Sequence, residues 1–252
     1  MLQEYSKVDT SIAYRLFYPN ITVIITASLN GYDDAIPAIS CTSLSFNPPL
    51  FGVAIYPKHY IHRLMTQSKC FAINFLDISS AKSAAICGDI SARFSKDKIK
   101  ISGLELLDTN RTAKSIRGAD AVIECSVVDI IKTGDHDFFI GRCDEAYATN
   151  DFQKYWKFDE YNPMLYAGSI RRDESKHRFA SISRRFTDVR YMQDESKNQI
   201  LNRVHDIMNK EVKTKQLSIN DAVRIVSNRL SIDELDSRYV IELLEKEGRI
   251  SL

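Results

Sequence analysis

The sequence predicts a mainly β protein of the α+β kind: an antiparallel barrel or sandwich with short helices, followed by a small helical unit. Three observations carry this. Up to about Tyr166, short apolar or alternating runs are separated by turn residues, with only two helix-like stretches among them. From about Arg171 the chain turns polar and charged, without apolar periodicity. Beyond that, apolar residues recur at helical spacing.

The elements follow in order. ITVIITASL (residues 21–29) is a strand, and Asn30-Gly31 after it is a strong hairpin signal. AIPAISCTSLSF continues the sheet until Asn47-Pro48-Pro49, which is expected to break any ladder. LFGVAIY (50–56) is a buried strand, HYIHRLMTQS a helix and CFAINFL another strand, while AKSAAICGDISARF is rich in small residues and helical. AVIECSVVDII and DFFIGRCDEAYA, joined by KTGDH, form a long hairpin. Toward the end, SINDAVRIVSNRL and residues 232–247 are amphipathic helices. Ser231 to Glu234 has a capping-box pattern, and Gly248 stands where a helix C terminus needs glycine. The expected domains are a sheet domain at 1–172, a charged arm at 173–195 and a C-terminal helical unit at 196–252.

Composition excludes several classes. Thirty-four Lys and Arg against 33 Asp and Glu give a net charge of +1, so nothing global points to nucleic acid or a membrane surface. Cys41, Cys70, Cys87, Cys125 and Cys143 are odd in number and widely spaced, which fits reduced thiols rather than a disulfide framework or zinc site. No signal peptide or membrane span is visible at this level, and a cytoplasmic protein is expected. No metal site is expected either: His62 reads as part of a solvated helix face, and His177 and His205 lack partners at ligand spacing.

Three segments carry the functional reading. In SCTSLSFNPPLFGVAIYPKHY (40–60), small hydroxyl residues precede a strand, and Lys58, His59 and Tyr60 gather donors where a helix begins. GDHDFFIG places Gly134, Asp135, His136 and Gly141 in the spacing GDHxxxxG. NPMLYAGSI (162–170) has an aromatic, small, glycine sequence. In order and spacing these segments resemble the flavin reductase-like, FMN-binding split-barrel family over about residues 10–172.

The resemblance implies an antiparallel Greek-key split β-barrel that binds FMN. It assigns Ser40, Cys41, Thr42 and Ser43 to the flavin ring and ribityl chain, Lys58, His59 and Tyr60 to the phosphate, and Tyr166 to a place near the flavin. His136 would serve catalysis beside the nicotinamide of NAD(P)H, the implied co-substrate. Ile61 departs from the family by standing where a hydroxyl residue is usual, and Arg171 by replacing an aromatic. The resemblance also implies a homodimer with flavin near the subunit boundary, for which Phe152, Tyr155, Trp156 and Phe158 are the interface candidates. The partner is a small-molecule redox compound. No adenine site is visible, so FMN is expected over FAD.

The alternatives are an FMN-bound electron carrier and, from another class, a flavin-linked DNA-binding regulator. LLEKEGRISL has the cadence of a winged helix, which raises the second of these. Residues 184–252 hold 13 Lys and Arg against 12 Asp and Glu, and the final helix is acidic at Glu242, Glu245 and Glu247, so nucleic acid is not expected. The basic residues of this region lie in the arm, at Arg171, Arg172, Arg184, Arg185 and Arg190.

Overall fold

The computed structural model describes residues 6–109, 113–150, 152, 156, 161–169, 177–181, 195–212, 218–230, 234–246 and 248–250. The chain divides into two compact units, Met1–Arg185 and Phe186–Leu252.

The first unit opens with a 3-10 turn, Thr10–Phe17, and then strands β1 (Asn20–Ile21), β2 (Val23–Leu29), β3 (Tyr32–Ala38), β4 (Cys41–Phe46) and β5 (Pro49–Ile55). Helix α1 (Tyr60–Ser68) and β6 (Cys70–Phe75) follow, then α2 (Ala81–Asp89), α3 (Lys98–Ser102), β7 (Leu106–Leu107) and β8 (Ser115–Ile116). The hairpin β9 (Ala121–Thr133) and β10 (His136–Ala148) is the longest element, and β11 (Leu165–Ser169) and β12 (His177–Ala180) complete the unit.

Seven antiparallel strands form the main sheet in the order β3-β2-β6-β9-β10-β5-β4. The two edge strands, β3 and β4, are sequence neighbours joined only by Ile39 and Ser40. A sheet whose opposite edges are two residues apart in the chain has to curl until those edges meet. The result is a barrel with a seam, and the seam positions the site described below.

β2 shows why its sequence reads as a continuous apolar run. Val23, Ile25 and Ala27 enter the barrel core with Phe71, Ile73 and Phe139, whereas Ile24 joins a second cluster with Ala84, Cys87 and Met164 outside the barrel. A strand covered on both faces shows no solvated side, and even its polar residues Thr26 and Ser28 are buried. α1 buries Ile61, Leu64 and Met65, an i, i+3, i+4 set, and ends at Lys69 in the left-handed conformation.

The turn chemistry follows the sequence in two places and departs from it in a third. Asn30 and Gly31 have φ of 51° and 80°, the pair of positive values a type I′ hairpin requires. Gly134, φ 68°, is the first of the two residues that turn β9 into β10. Asn47-Pro48-Pro49 does not break the sheet: Asn47 and Pro48 form the turn, and Pro49 pairs with Phe46 as the first residue of β5. Proline is tolerated there because it starts the strand.

Part of the expected charged arm is also ordered into the fold, since His177–Ala180 pairs antiparallel with β11. Arg171, Arg172, Arg184, Arg185 and Arg190 lie outside the described residues.

The second unit contains α4 (Glu195–Ile207), continued by a π-helical turn Met208–Val212, then α5 (Ile219–Leu230) and α6 (Glu234–Lys246). Leu201, Val204, Met208, Val226, Ile241 and Leu244 are among the residues of its own core. α6 ends as the sequence predicts: Gly248 has φ 69° and donates to the Glu245 carbonyl, while Arg249 donates to that of Leu244. This is the Schellman arrangement. The proposed N-cap at Ser231 lies outside the described residues. Among the described residues this unit contains helices and no strand, so the winged-helix cadence of its last residues is not matched by a described wing.

Candidate functional site

A cavity of about 770 Å³ opens at the barrel seam. Its volume lies within the roughly 300–1,000 Å³ of cofactor pockets. Ile39 and Ser40 supply the seam itself, Ala54 the floor on β5, and Thr133, Asp135 and His136 one rim. Tyr14, Phe17 and Tyr18 supply the opposite rim. The seam is pinned locally: Ser40 Oγ donates to the Ala54 carbonyl at 3.0 Å, the Ala54 amide donates to the Ser40 carbonyl at 3.2 Å, and Asn20 Nδ2 donates to the Ile39 carbonyl at 2.8 Å.

His136 begins β10 and faces this cavity while its Nδ1 lies 2.8 Å from Asp135 Oδ1. The contact holds the Asp135 carboxyl below its ordinary range. With one ring nitrogen committed to a carboxylate, the other is left for a ligand. Tyr56 stands 5.6 Å from His136 and 5.8 Å from His59, ring centre to ring centre, so it links the hairpin to the segment before α1.

That segment is a concentration of donors. His59 is the N-cap residue of α1 and makes no side-chain cap bond; the His62 amide donates to the His59 carbonyl at 3.2 Å, and the helix start still presents the positive end of its dipole. Lys58 is exposed, its ammonium 5.7 Å over the Tyr56 ring. Arg93 donates to the Lys58 carbonyl at 3.4 Å and brings a second cation to the same place. The His59 imidazole is pushed below its ordinary pKa, first by desolvation and then by Lys98, with Asp34 opposing. Fixed charge here therefore rests on Lys58 and Arg93, and His59 is biased toward its neutral form.

Of the residues singled out from sequence, Ser40 and His136 meet at the cavity, and Lys58 and His59 gather beside the start of α1. The others are placed differently. Cys41 packs against the barrel core and burial pushes its thiol up to about 12, so it acts as filler. Thr42 and Ser43 are exposed on the edge strand, outside the cavity lining. Tyr60 packs against the core and also faces a neighbouring cleft. Tyr166 lies one layer back, its ring 5.4 Å from Tyr18, which does line the cavity.

Ile61 is fully buried in the core, which explains why no hydroxyl stands there to meet a ligand. Gly141, the second glycine of GDHxxxxG, is a packing glycine: a Cβ there would lie 2.5 Å from the Phe71 ring.

Sequence reasoning missed Asn20, Tyr56, Arg93 and the aromatic run at Tyr14, Phe17 and Tyr18. It also misjudged His62. That residue is not on a solvated face: its side chain is 16% exposed and its Nε2 lies 2.8 Å from Asp137 Oδ2. The pair ties α1 to β10, next to His136, and so fixes the donor segment relative to the hairpin.

A curled antiparallel barrel with a cofactor-sized seam cavity, beside a helix start carrying two cations, has the shape and charge to suit a phosphorylated small molecule. The sequence profile of the flavin reductase like domain matches residues 14–175, and the chain belongs to the flavin reductase-like family.

An uncharacterized protein from Aeropyrum pernix is 31% identical over 236 residues, 90% of each chain, and an alignment that long must run into the second unit. An NADH-dependent FAD reductase from Streptomyces globisporus is 27% identical over 135 residues, covering 50% of this chain and 70% of that protein. Among solved structures, an FMN-binding protein from Thermus thermophilus with bound p-hydroxybenzaldehyde aligns with a TM-score of 0.63 at 22% identity, over 73% of this chain and 98% of its own. At that identity the likeness shows the split-barrel fold.

Among the described residues no group of His, Cys, Asp and Glu suits a metal ion, and no helix is long and apolar enough to cross a membrane.

Proposed function

We propose that the chain is an NAD(P)H-dependent flavin reductase that holds FMN in the seam cavity. One observation carries this: Ser40 and His136 share a cofactor-sized cavity beside the α1 start, where Lys58, Arg93 and free helix amides offer a seat for a phosphate. The donor set fits the group, with cations for the phosphate and small residues at Ser40 and Ala54 that let backbone approach a flat ring. When bound, FMN supplies a hydride acceptor for a nicotinamide and a donor for a small-molecule redox partner.

The protein's part is positioning. His136, fixed by Asp135 on a rigid hairpin, orients the second ring, and the His62–Asp137 contact keeps hairpin and phosphate segment in register. An FMN-bound electron carrier is the second reading. It is favoured by Ile61, which is buried in the core where the resemblance read from sequence implies a hydroxyl beside the phosphate segment.

Anaerobic mixing with NADH and with NADPH, followed by flavin absorbance, tests the proposal. Bleaching supports a reductase, tight FMN without bleaching supports the carrier, and no FMN binding below millimolar removes both.

We also propose a homodimer across the outer face of the sheet. Phe46 is 93% exposed, and Leu44 and Ile131 are exposed as well. Phe138, which pairs with Ile131, packs with Leu44 over Gly52. Of the aromatic group expected at the interface from sequence, Trp156 lies 4.1 Å from Tyr161, ring centre to ring centre, and Phe152 is 44% exposed. Tyr155 and Phe158 lie outside the described residues. Light scattering that reports a monomer at micromolar concentration with flavin bound would contradict the dimer. Five unpaired cysteines support a cytoplasmic setting.

A further inference from the structure

A cleft of about 860 Å³ in the first unit is distinct from the seam cavity. It begins where the phosphate segment ends. Tyr60, the first residue of α1, forms one wall, and Ala92, next to Arg93, another. Tyr32, 50% exposed at the β2–β3 hairpin, offers a second aromatic face.

The charges of this cleft are unevenly committed. Lys114 is bonded to Asp33 at 2.9 Å, and Glu105 to Arg117 at 2.8 Å. Lys96 and Lys100 have no carboxylate partner among the described residues, and the Lys96 ammonium lies 5.7 Å over the Tyr32 ring. Asp97 is the remaining carboxylate, so two cations face one anion.

The segment carrying these lysines is anchored. Between them, Lys98 turns inward to Asp34 at 2.7 Å, with side chains 3% and 1% exposed. Two free ammonium groups are thereby mounted on a fixed backbone, beside two tyrosine rings. Flat heteroaromatic rings stack on tyrosine, and phosphates draw lysine.

We infer that this cleft receives the adenosine-phosphate half of a dinucleotide. The inference rests on the proposed flavin site, because the cleft adjoins the place assigned to the FMN phosphate. Two sources share this chemistry: the adenylate of FAD, continuing past the flavin phosphate, and the adenylate of NAD(P)H. The first would make FAD a ligand in its own right, against the expectation from sequence that only a mononucleotide has a seat.

The test compares the full-length protein with the double variant Lys96→Glu, Lys100→Glu, both changes lying at exposed positions outside the flavin cavity. Equilibrium titrations with AMP, FMN and FAD are combined with the KM for NAD(P)H at saturating FMN. AMP should bind the unaltered protein and lose affinity about tenfold or more in the variant, while FMN affinity stays within about twofold. A parallel loss for FAD assigns the cleft to the flavin, and a raised KM for NAD(P)H at constant kcat assigns it to the co-substrate. AMP binding that is absent or unchanged overturns the inference, as does an equal weakening of FMN. FMN failing to bind the unaltered protein, with AMP still bound in a lysine-dependent way, would instead remove the flavin proposal and leave the cleft standing.

Discussion

Two short segments bring a histidine to the same neighbourhood and treat it in opposite ways. At the β9–β10 hairpin, His136 has a carboxylate 2.8 Å away. Ahead of α1, His59 has desolvation and Lys98 against its charged form, with only Asp34 in favour. One histidine stands against an anion; the other is biased toward its neutral form, by burial first and by a cation second. The segment before α1 depends on groups that are always charged. Behind His59 lies the buried Lys98–Asp34 pair, whose opposed charges act on the imidazole after burial has had the largest effect.

Breaking that pair should have the largest effect. Asp34→Ala leaves Lys98 buried without its anion, and a loss of about 3–5 kcal/mol is expected in urea unfolding. A loss below 1 kcal/mol would mean that Lys98 escapes to solvent and that the field at His59 is not fixed.

Next comes the permanent charge. Lys58→Ala should weaken FMN by about 1–3 kcal/mol in a fluorescence titration if the ammonium bonds a phosphate. Unchanged affinity would pass that role to Arg93 and the helix amides.

His136→Ala should slow flavin reduction by NAD(P)H about tenfold, on the order of 1.4 kcal/mol in the barrier, with FMN affinity nearly unchanged. Stopped-flow traces at matched flavin occupancy decide this. Equal rates together with a lowered Tm would reduce His136 to a hairpin residue.

The smallest effect is a pH dependence. The folded-state pKa of His59 lies below its ordinary value, so the unfolded chain binds this proton first. Its contribution is fully present above the ordinary histidine range and is lost as pH falls through that range toward the depressed folded value. His59→Gln should flatten that part of the stability profile. A profile identical to that of the unaltered protein would show that neither burial nor Lys98 depresses His59.

How much of this was legible depends on whether the signal was local. Asn30-Gly31, the long hairpin and the α6 terminus were readable because turn and cap chemistry is written within a few residues. The family segments named Ser40, Lys58, His59 and His136, which the fold gathers around the seam cavity and the start of α1. What they could not show was direction. Cys41 turns into the core, while Thr42 and Ser43 stay exposed on the edge strand, whose register shifts between Ser43 and Ser45. His62 looked solvated because its partner, Asp137, is 75 residues away. The cleft at Lys96 and Lys100 was invisible for a similar reason: its walls come from the β2–β3 hairpin, α1 and the α3 segment, and no stretch of sequence contains it.

The seam has a bearing on how the protein holds itself together. Ala54 and His136 stand on the paired strands β5 and β10, and the cavity brings them against Ile39 at the seam and against Tyr14, Phe17 and Tyr18 of the N-terminal turn. A molecule lodged among them touches walls drawn from separate parts of the chain. Such a ligand acts as a clasp: at a hundredfold excess over its Kd it would add about 2.7 kcal/mol against unfolding. Resistance to heat would then follow how well the protein is supplied with its cofactor.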